Sequence, residues 1–486
     1  MAPPDRSTSS LMLADIKVLA GLFVAWKLLL LCVAYISPGP GYDTSTTLLL
    51  LRAQSAQSEN TLLEDLAKRL ASKLVRWDAL YFVSVAQRGY VFEQEWAWGW
   101  GYTKFVGLVS NGWFGASDSM VPWLNSTSVL PGSSLSPLYA QAYAGVLISH
   151  VAHSLSVIML YKLVHQLPIM DKKQRHATAF LAASMHIFSS AGMFMSAPYS
   201  ESLFSMLNFA GILIHARIPW NSPLEDYGAS SLLSLLSSGA CFGLATTVRS
   251  NGIFSGLIYF HHVYMLLHSR INIRTMITIV FIGLSAMMIL SGMLFPQYMA
   301  YQDFCARPSD GEPRPWCSRT LPSVYSWVQE HYWNVGFLRY WTLSNIPLFL
   351  LALPMLYVLV GTGLIAPTLN IKSSALQSKH ASVYILCLAL PQMLLALLAL
   401  TTFHVQIVNR IATGYPIWYI VLAATMVSPM DTKRSDKTAT SHRADSSIAK
   451  IGSYMSKAST QELMFRGMFM YSIIQGGLYA SFMPPA

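Results

Sequence analysis

The sequence predicts an all-α polytopic membrane protein, and three observations predict it. Only 11% of the 486 residues are charged, against 53% hydrophobic, about half the charged fraction of a soluble chain. The apolar residues gather in runs of about 20, the length that carries a helix across a bilayer core. The runs show no strict two-residue alternation, so their backbone polar groups are expected to be satisfied inside helices rather than in a barrel. The formal charge of +10 falls largely in loops between apolar runs, as membrane topology requires, and no nucleic-acid partner is expected.

The first run, 16–36, reads as an uncleaved signal anchor, because it is long for a signal-peptide core and no small-residue cleavage site follows. Residues 38–137 form a polar stretch too long for an ordinary loop. It holds an amphipathic segment from Leu62 to Leu74 and an aromatic series including Trp77, Tyr81, Trp96, Trp98 and Trp100, suited to the membrane interface. Further spans are expected near 138–162, 176–196, 199–216, 231–248, 252–268, 275–296, 343–364, 381–402, 405–427 and 465–482, about eleven with the first. The 431–459 segment, polar, basic and rich in Ser and Thr, reads as a mobile cytosolic loop. Residues 1–486 are thus expected to form one integral membrane domain, without the paired halves of a transporter.

Alternating the spans places the basic loops at 172–175, 270–274, 372–379 and 433–457 on one side, which should be cytosolic, together with the N-terminus. The other side receives 38–137, the 297–340 loop and the short junctions at 196–202, 249–252 and 404–410. The unusual polar stretches therefore share one face. Asn125-Ser126-Thr127 on that face is an N-glycosylation acceptor sequence. Cys305 and Cys317 share the 297–340 loop, where an oxidising compartment permits a disulfide. No nearby His/Cys set completes a zinc site, and no metal is expected.

Soluble-enzyme signatures are missing: no P-loop, no strand-borne Gly-x-Gly-x-x-Gly, no His-Glu-x-x-His, no Gly-x-Ser-x-Gly and no Asp-x-Asp. Chemistry must then come from scattered acids and bases at the membrane surface. Asp78, beside Trp77, is the leading candidate; the bland alternative is that it caps a helix running to about Arg88. Glu93 and Glu95 follow a Gly89-Tyr90 turn; Glu95 is a second catalytic candidate and Glu93 a substrate-binding one, and the bland alternative for either is a solvated loop acid. Glu201 could cap a helix after Pro198. Arg249 and Arg410 sit at span ends, suited either to snorkelling or to clamping a phosphate, with Asn251 and His404 as polar neighbours.

Val75-Arg76-Trp77-Asp78-Ala79, Gly89-Tyr90 and Glu93-Gln94-Glu95-Trp96-Ala97 resemble the first lumenal loop of the GPI mannosyltransferase 2 family, in its fungal form. So do, in order, 196–202, 247–252, Phe304-Cys305, Pro315-Trp316-Cys317, 332–337 and 406–416. Many animal-like members carry His where this chain has Gln94, which puts in doubt any role carried over to that position. The resemblance implies a GT-C membrane glycosyltransferase of the endoplasmic reticulum, with a lumenal active site. It implies dolichyl-phosphate mannose as donor and a mannosylated GPI precursor lipid as acceptor, joined by an α-1,6 linkage through an inverting single displacement, with no cofactor. Asp78 matches the family's catalytic Asp, and an acid–base role for it is chemically apt. A small accessory membrane subunit is a further candidate partner. A related GT-C enzyme with a different acceptor, a noncatalytic membrane subunit and a transporter are the alternatives.

Overall fold

The computed structural model describes residues 6–39, 45–46, 62–114, 137–168, 172–306, 314–369, 375–427 and 458–483. Asn125 and residues 431–457 lie outside the described residues. Among the described residues the chain is helical throughout, with no strand.

Helix α1 (Arg6–Ile36) is followed by the amphipathic α2 (Leu62–Leu74), then α3 (Asp78–Arg88) and α4 (Trp100–Phe114). The bundle continues with α5 (Pro137–Gln166), α6 (Lys172–Ile187), α7 (Glu201–His215), α8 (Ala229–Val248), the short α9 (Phe260–Leu266) and α10 (Ile273–Tyr301). After α11 (Val324–Trp333) come α12 (Ile346–Ile365), α13 (Ala375–Thr401), α14 (Val408–Ile411), α15 (Ile417–Val427) and α16 (Ala458–Ala480).

Among the described residues six helices are long and apolar enough to cross a membrane, or seven if the pair Val405–Gly414 and Ile417–Val427, bent by 79°, is one span. About eleven were expected. The difference lies in the runs at 176–196, 199–216, 252–268 and 465–482. The first ends as helix at Ile187 and resumes as a short 3-10 turn, Gly192–Met195. The second is a helix of only 15 residues. The third opens as a 3-10 segment, Ser250–Tyr259, before α9. The fourth is a long helix, α16, with a polar first turn. A hydropathy window sums composition over its length and does not register a break in the helix.

Breaks in helices free backbone groups that an apolar surrounding cannot satisfy. Side chains from neighbouring helices fill them here. Lys27 of α1, a buried amine, donates to the Met195 carbonyl at 2.7 Å, and Ser202 donates to the same oxygen at 3.1 Å. Ser149 reaches Ala197 O, Ser190 reaches Asn409 O and Asn208 reaches Gly414 O. Gln475 of α16 accepts from the Met193 amide at 3.0 Å, and Ser472 donates to Ser189 O at 2.7 Å. With Tyr415 donating to the Asn251 carbonyl at 3.0 Å, polar residues thus hold three interrupted segments, near 188–200, 249–259 and 405–416, in fixed positions.

Helices α8 and α10 pack closely through small residues. A Cβ on Gly243 would meet the Met288 carbonyl oxygen at 2.5 Å, and one on Gly239 would meet Ser285 Cβ at 2.7 Å. Gly243→Leu is therefore expected to force the pair apart and destabilise the bundle by about 1–3 kcal/mol. Thermal unfolding of the purified protein in detergent checks this; an unshifted transition would show that the seam is loose.

Candidate active site

The chain leaves α2 at Leu74 and turns through Val75-Arg76-Trp77 into α3. Trp77 has φ of 55°, left-handed backbone that a bulky residue adopts only when its surroundings impose it. Those surroundings come from far along the chain. The Tyr199 and Tyr479 hydroxyls each donate to the Arg76 carbonyl at 3.2 Å, and Tyr479 also reaches the Leu74 carbonyl at 2.6 Å. Phe482 packs on the Trp77 ring, with centroids 5.2 Å apart. The C-terminal helix therefore supports the turn that presents Asp78. Tyr479→Phe leaves buried carbonyls short of a donor, and a loss of about 1–3 kcal/mol is expected. Thermal unfolding of the purified variant checks this. An unshifted transition would mean that the turn holds its shape without Tyr479.

Asp78 is the first residue of α3, and the N-cap position, Trp77, makes no side-chain cap bond. The partial positive charge of the helix N-terminus favours the carboxylate there. Its partner is Arg410, whose Nη1 donates to Asp78 Oδ2 at 2.8 Å. Arg410 Nε lies 3.0 Å from Glu201 Oε1, and Arg249 Nη1 donates to that same Glu201 oxygen at 2.8 Å. Arg249 also donates to Ser200 Oγ at 2.9 Å, and its Nε reaches Asn251 Oδ1 at 3.4 Å. Two carboxylates and two guanidiniums thus alternate as Asp78, Arg410, Glu201, Arg249. Each comes from a turn or break described above.

The array borders a cavity of about 790 Å³ lined by Trp77, Asp78, Arg249, Asn251, His404 and Arg410, among others. Trp96, Trp98, Trp100 and Trp333 add aromatic surface, and Ile253, Phe254, Leu395 and Leu398 add an apolar wall. Asp78 is the one carboxylate among the described lining residues. Glu201 lies behind the lining, its side chain 1% exposed. His404 Nε2 donates to the Trp333 carbonyl at 2.9 Å, and the ring stacks on Tyr340. Asn251 donates to the Tyr415 hydroxyl at 2.9 Å, which fixes the 3-10 segment against α15. Among the described residues no group of three or more His, Cys, Asp or Glu could hold a metal ion.

Glu93 and Glu95 stand apart from the lining. Glu95 is buried and engaged within its own turn, paired with Arg88 and accepting from the Val91 and Phe92 amides at 2.9 and 3.1 Å. Glu93 accepts from Trp316 and Trp327 at 3.2 Å and from Tyr332 at 2.9 Å, tying the 93–97 turn to the 314–333 segment. Cys305 and Cys317 are joined by a disulfide in that same region, with Cα atoms 5.6 Å apart. The tether positions α11, which supplies Tyr325, Gln329 and Trp333 to the cavity.

Comparison with known proteins adds a family match over nearly the whole chain. The family described as Mannosyltransferase (PIG-V) matches residues 16–486. The chain belongs to this family. The mannosyltransferase is 38% identical to a protein of Aspergillus oryzae named GPI mannosyltransferase 2, over 97% of this chain and 96% of that one. A protein of the same name from Chaetomium globosum is also 38% identical, over 96% and 95%. A solved structure of the Archaeoglobus fulgidus oligosaccharyltransferase aligns with a TM-score of 0.39 and 10% identity, over 88% of the mannosyltransferase and 56% of that chain.

Some site residues of the mannosyltransferase carried little sequence signal. Tyr199 and Ser200 lie within the polar junction at 196–202, which marked them indirectly. Tyr479 and Phe482 end an apolar C-terminal run, and nothing local sets them apart. Only contact with the 74–77 turn gives them a role.

Proposed function

We propose that the enzyme transfers the second mannose of the GPI anchor, in α-1,6 linkage, from dolichyl-phosphate mannose to a monomannosylated GPI precursor lipid. The near full-length likeness to proteins named GPI mannosyltransferase 2 carries this assignment. In it, Asp78 accepts the proton of the acceptor hydroxyl as that oxygen attacks the anomeric carbon. The bond from that carbon to the phosphate oxygen breaks, with its electron pair leaving on dolichyl phosphate. A β-linked donor and an α-linked product require this single inversion, with positive charge developing on the sugar. Arg249 and Arg410 offset the charge on the departing phosphate, and the tryptophans offer the sugar an aromatic surface. No cofactor or metal takes part.

In this reading the reaction takes place in the lumen of the endoplasmic reticulum, supported by the likeness to proteins named GPI mannosyltransferase 2, and the basic loops favour a 297–340 loop on that side and an N-terminus in the cytosol. An acceptor and a donor both anchored in lipid then meet where the broken helices approach the interface. Purified protein, dolichyl-phosphate mannose and monomannosylated GPI precursor should together yield the dimannosylated lipid. Transfer only to another acceptor would move the chain to a different lipid-linked reaction, and no transfer with properly folded protein would overturn the proposal.

A further inference from the structure

We infer that the Asp78–Arg410 ion pair is a gate opened by the phosphate of the donor, so that the base becomes available only when donor is bound. This rests on the proposed lipid-phosphate donor. The four-residue array is formally neutral, with two carboxylates against two guanidiniums. It offers no surplus cation to an incoming phosphate. An anion gains strong contacts there only by taking a guanidinium from a carboxylate.

The two carboxylates are not equally able to let go. Glu201 is held between both arginines at 2.8 and 3.0 Å and its side chain is 1% exposed. Ser200 further anchors Arg249. The Asp78 side chain, 23% exposed, faces the cavity and has Arg410 as its charged partner. Arg410 would stay in place once Asp78 departs, because Glu201 Oε1 lies 3.0 Å from its Nε as an ion partner, and the rings of Phe194 and Tyr199 lie 4.9 and 5.5 Å from its guanidinium carbon. The Asp78–Arg410 contact is thus the part of the array that a phosphate can exchange. Before exchange, Asp78 Oδ2 is occupied by a guanidinium N–H rather than by an acceptor hydroxyl. After exchange, phosphate holds Arg410 and the carboxylate is free to take the proton. No covalent bond changes in the gating step.

Two consequences are measurable with the full-length protein in detergent or nanodiscs. Donor must bind before a productive acceptor, so an acceptor analogue lacking the reacting hydroxyl should inhibit uncompetitively against dolichyl-phosphate mannose. Asp78→Asn removes the internal competitor for Arg410, so this variant should bind dolichyl phosphate at least about tenfold more tightly than wild type while transfer is lost. A merely structural Asp78 would leave that affinity unchanged or weaken it. Wild-type binding of dolichyl phosphate without tightening in the variant overturns the gate and leaves the donor assignment standing. Should Asp78→Asn fail to fold, noncompetitive inhibition of the wild-type enzyme by the analogue overturns the gate by itself. Absence of dolichyl phosphate binding to properly folded wild-type protein overturns the donor assignment, and the gate with it.

Discussion

Asp78→Asn is expected to insert and fold, and to lose mannose transfer by about 10²-fold or more. Asparagine keeps the size of the side chain and removes its charge and its basicity. The helix start does not depend on a cap bond from Asp78, since the residue already lies inside α3. The stability cost is confined to the Arg410 contact, and Arg410 keeps Glu201 as a partner. A rate loss in stable protein therefore reports on proton transfer. Among the described lining residues no second carboxylate is available to substitute. Glu95 is engaged with Arg88 and two backbone amides, and Glu201 lies behind the cavity wall. Initial rates at saturating donor and acceptor, with protein amount normalised, check this. Near-normal turnover would remove Asp78 from the chemistry.

Glu201→Ala is expected to have the larger effect on stability. One buried carboxylate oxygen serves two guanidiniums, Arg249 at 2.8 Å and Arg410 at 3.0 Å. Removing it leaves Arg249 without its carboxylate and close to Arg410, which keeps Asp78 as a partner, and breaking a buried ion pair this way costs about 3–5 kcal/mol. The repulsion acts where the breaks near 188–200, 249–259 and 405–416 meet, so the loss should appear as a lower melting temperature and poorer recovery from the membrane. Glu201→Gln, which keeps the shape and one acceptor oxygen, should fall between wild type and Ala. If Glu201→Ala melts with wild type, the arginines have other anions or water to rely on.

The sequence by itself determined the class of the protein and where its chemistry could sit. Low charge and runs of about 20 apolar residues require membrane helices. The periodicity of 62–74 specified the amphipathic helix that the structure contains. The polar residues at the run ends, Asp78, Glu201, Arg249 and Arg410, stood out because charge at a bilayer boundary needs a reason. Those signals are local, and composition or spacing over a few residues is enough to read them. The helix breaks were less legible: hydropathy integrates over a window, whereas a break depends on whether a distant Lys27, Asn208 or Gln475 satisfies the freed backbone.

Only the tertiary structure decided which acids face the cavity. Glu93 and Glu95 are two residues apart and look alike in sequence. One ties down Trp316, Trp327 and Tyr332 from more than 200 positions away, and the other closes on Arg88 and its own turn. Asp78 meets Arg410 across 332 positions, and Tyr479 supports the turn before it across 403. An ion pair or a buried hydrogen bond depends on a few ångströms in space. That distance follows from how all the helices pack, which no local stretch of the chain encodes.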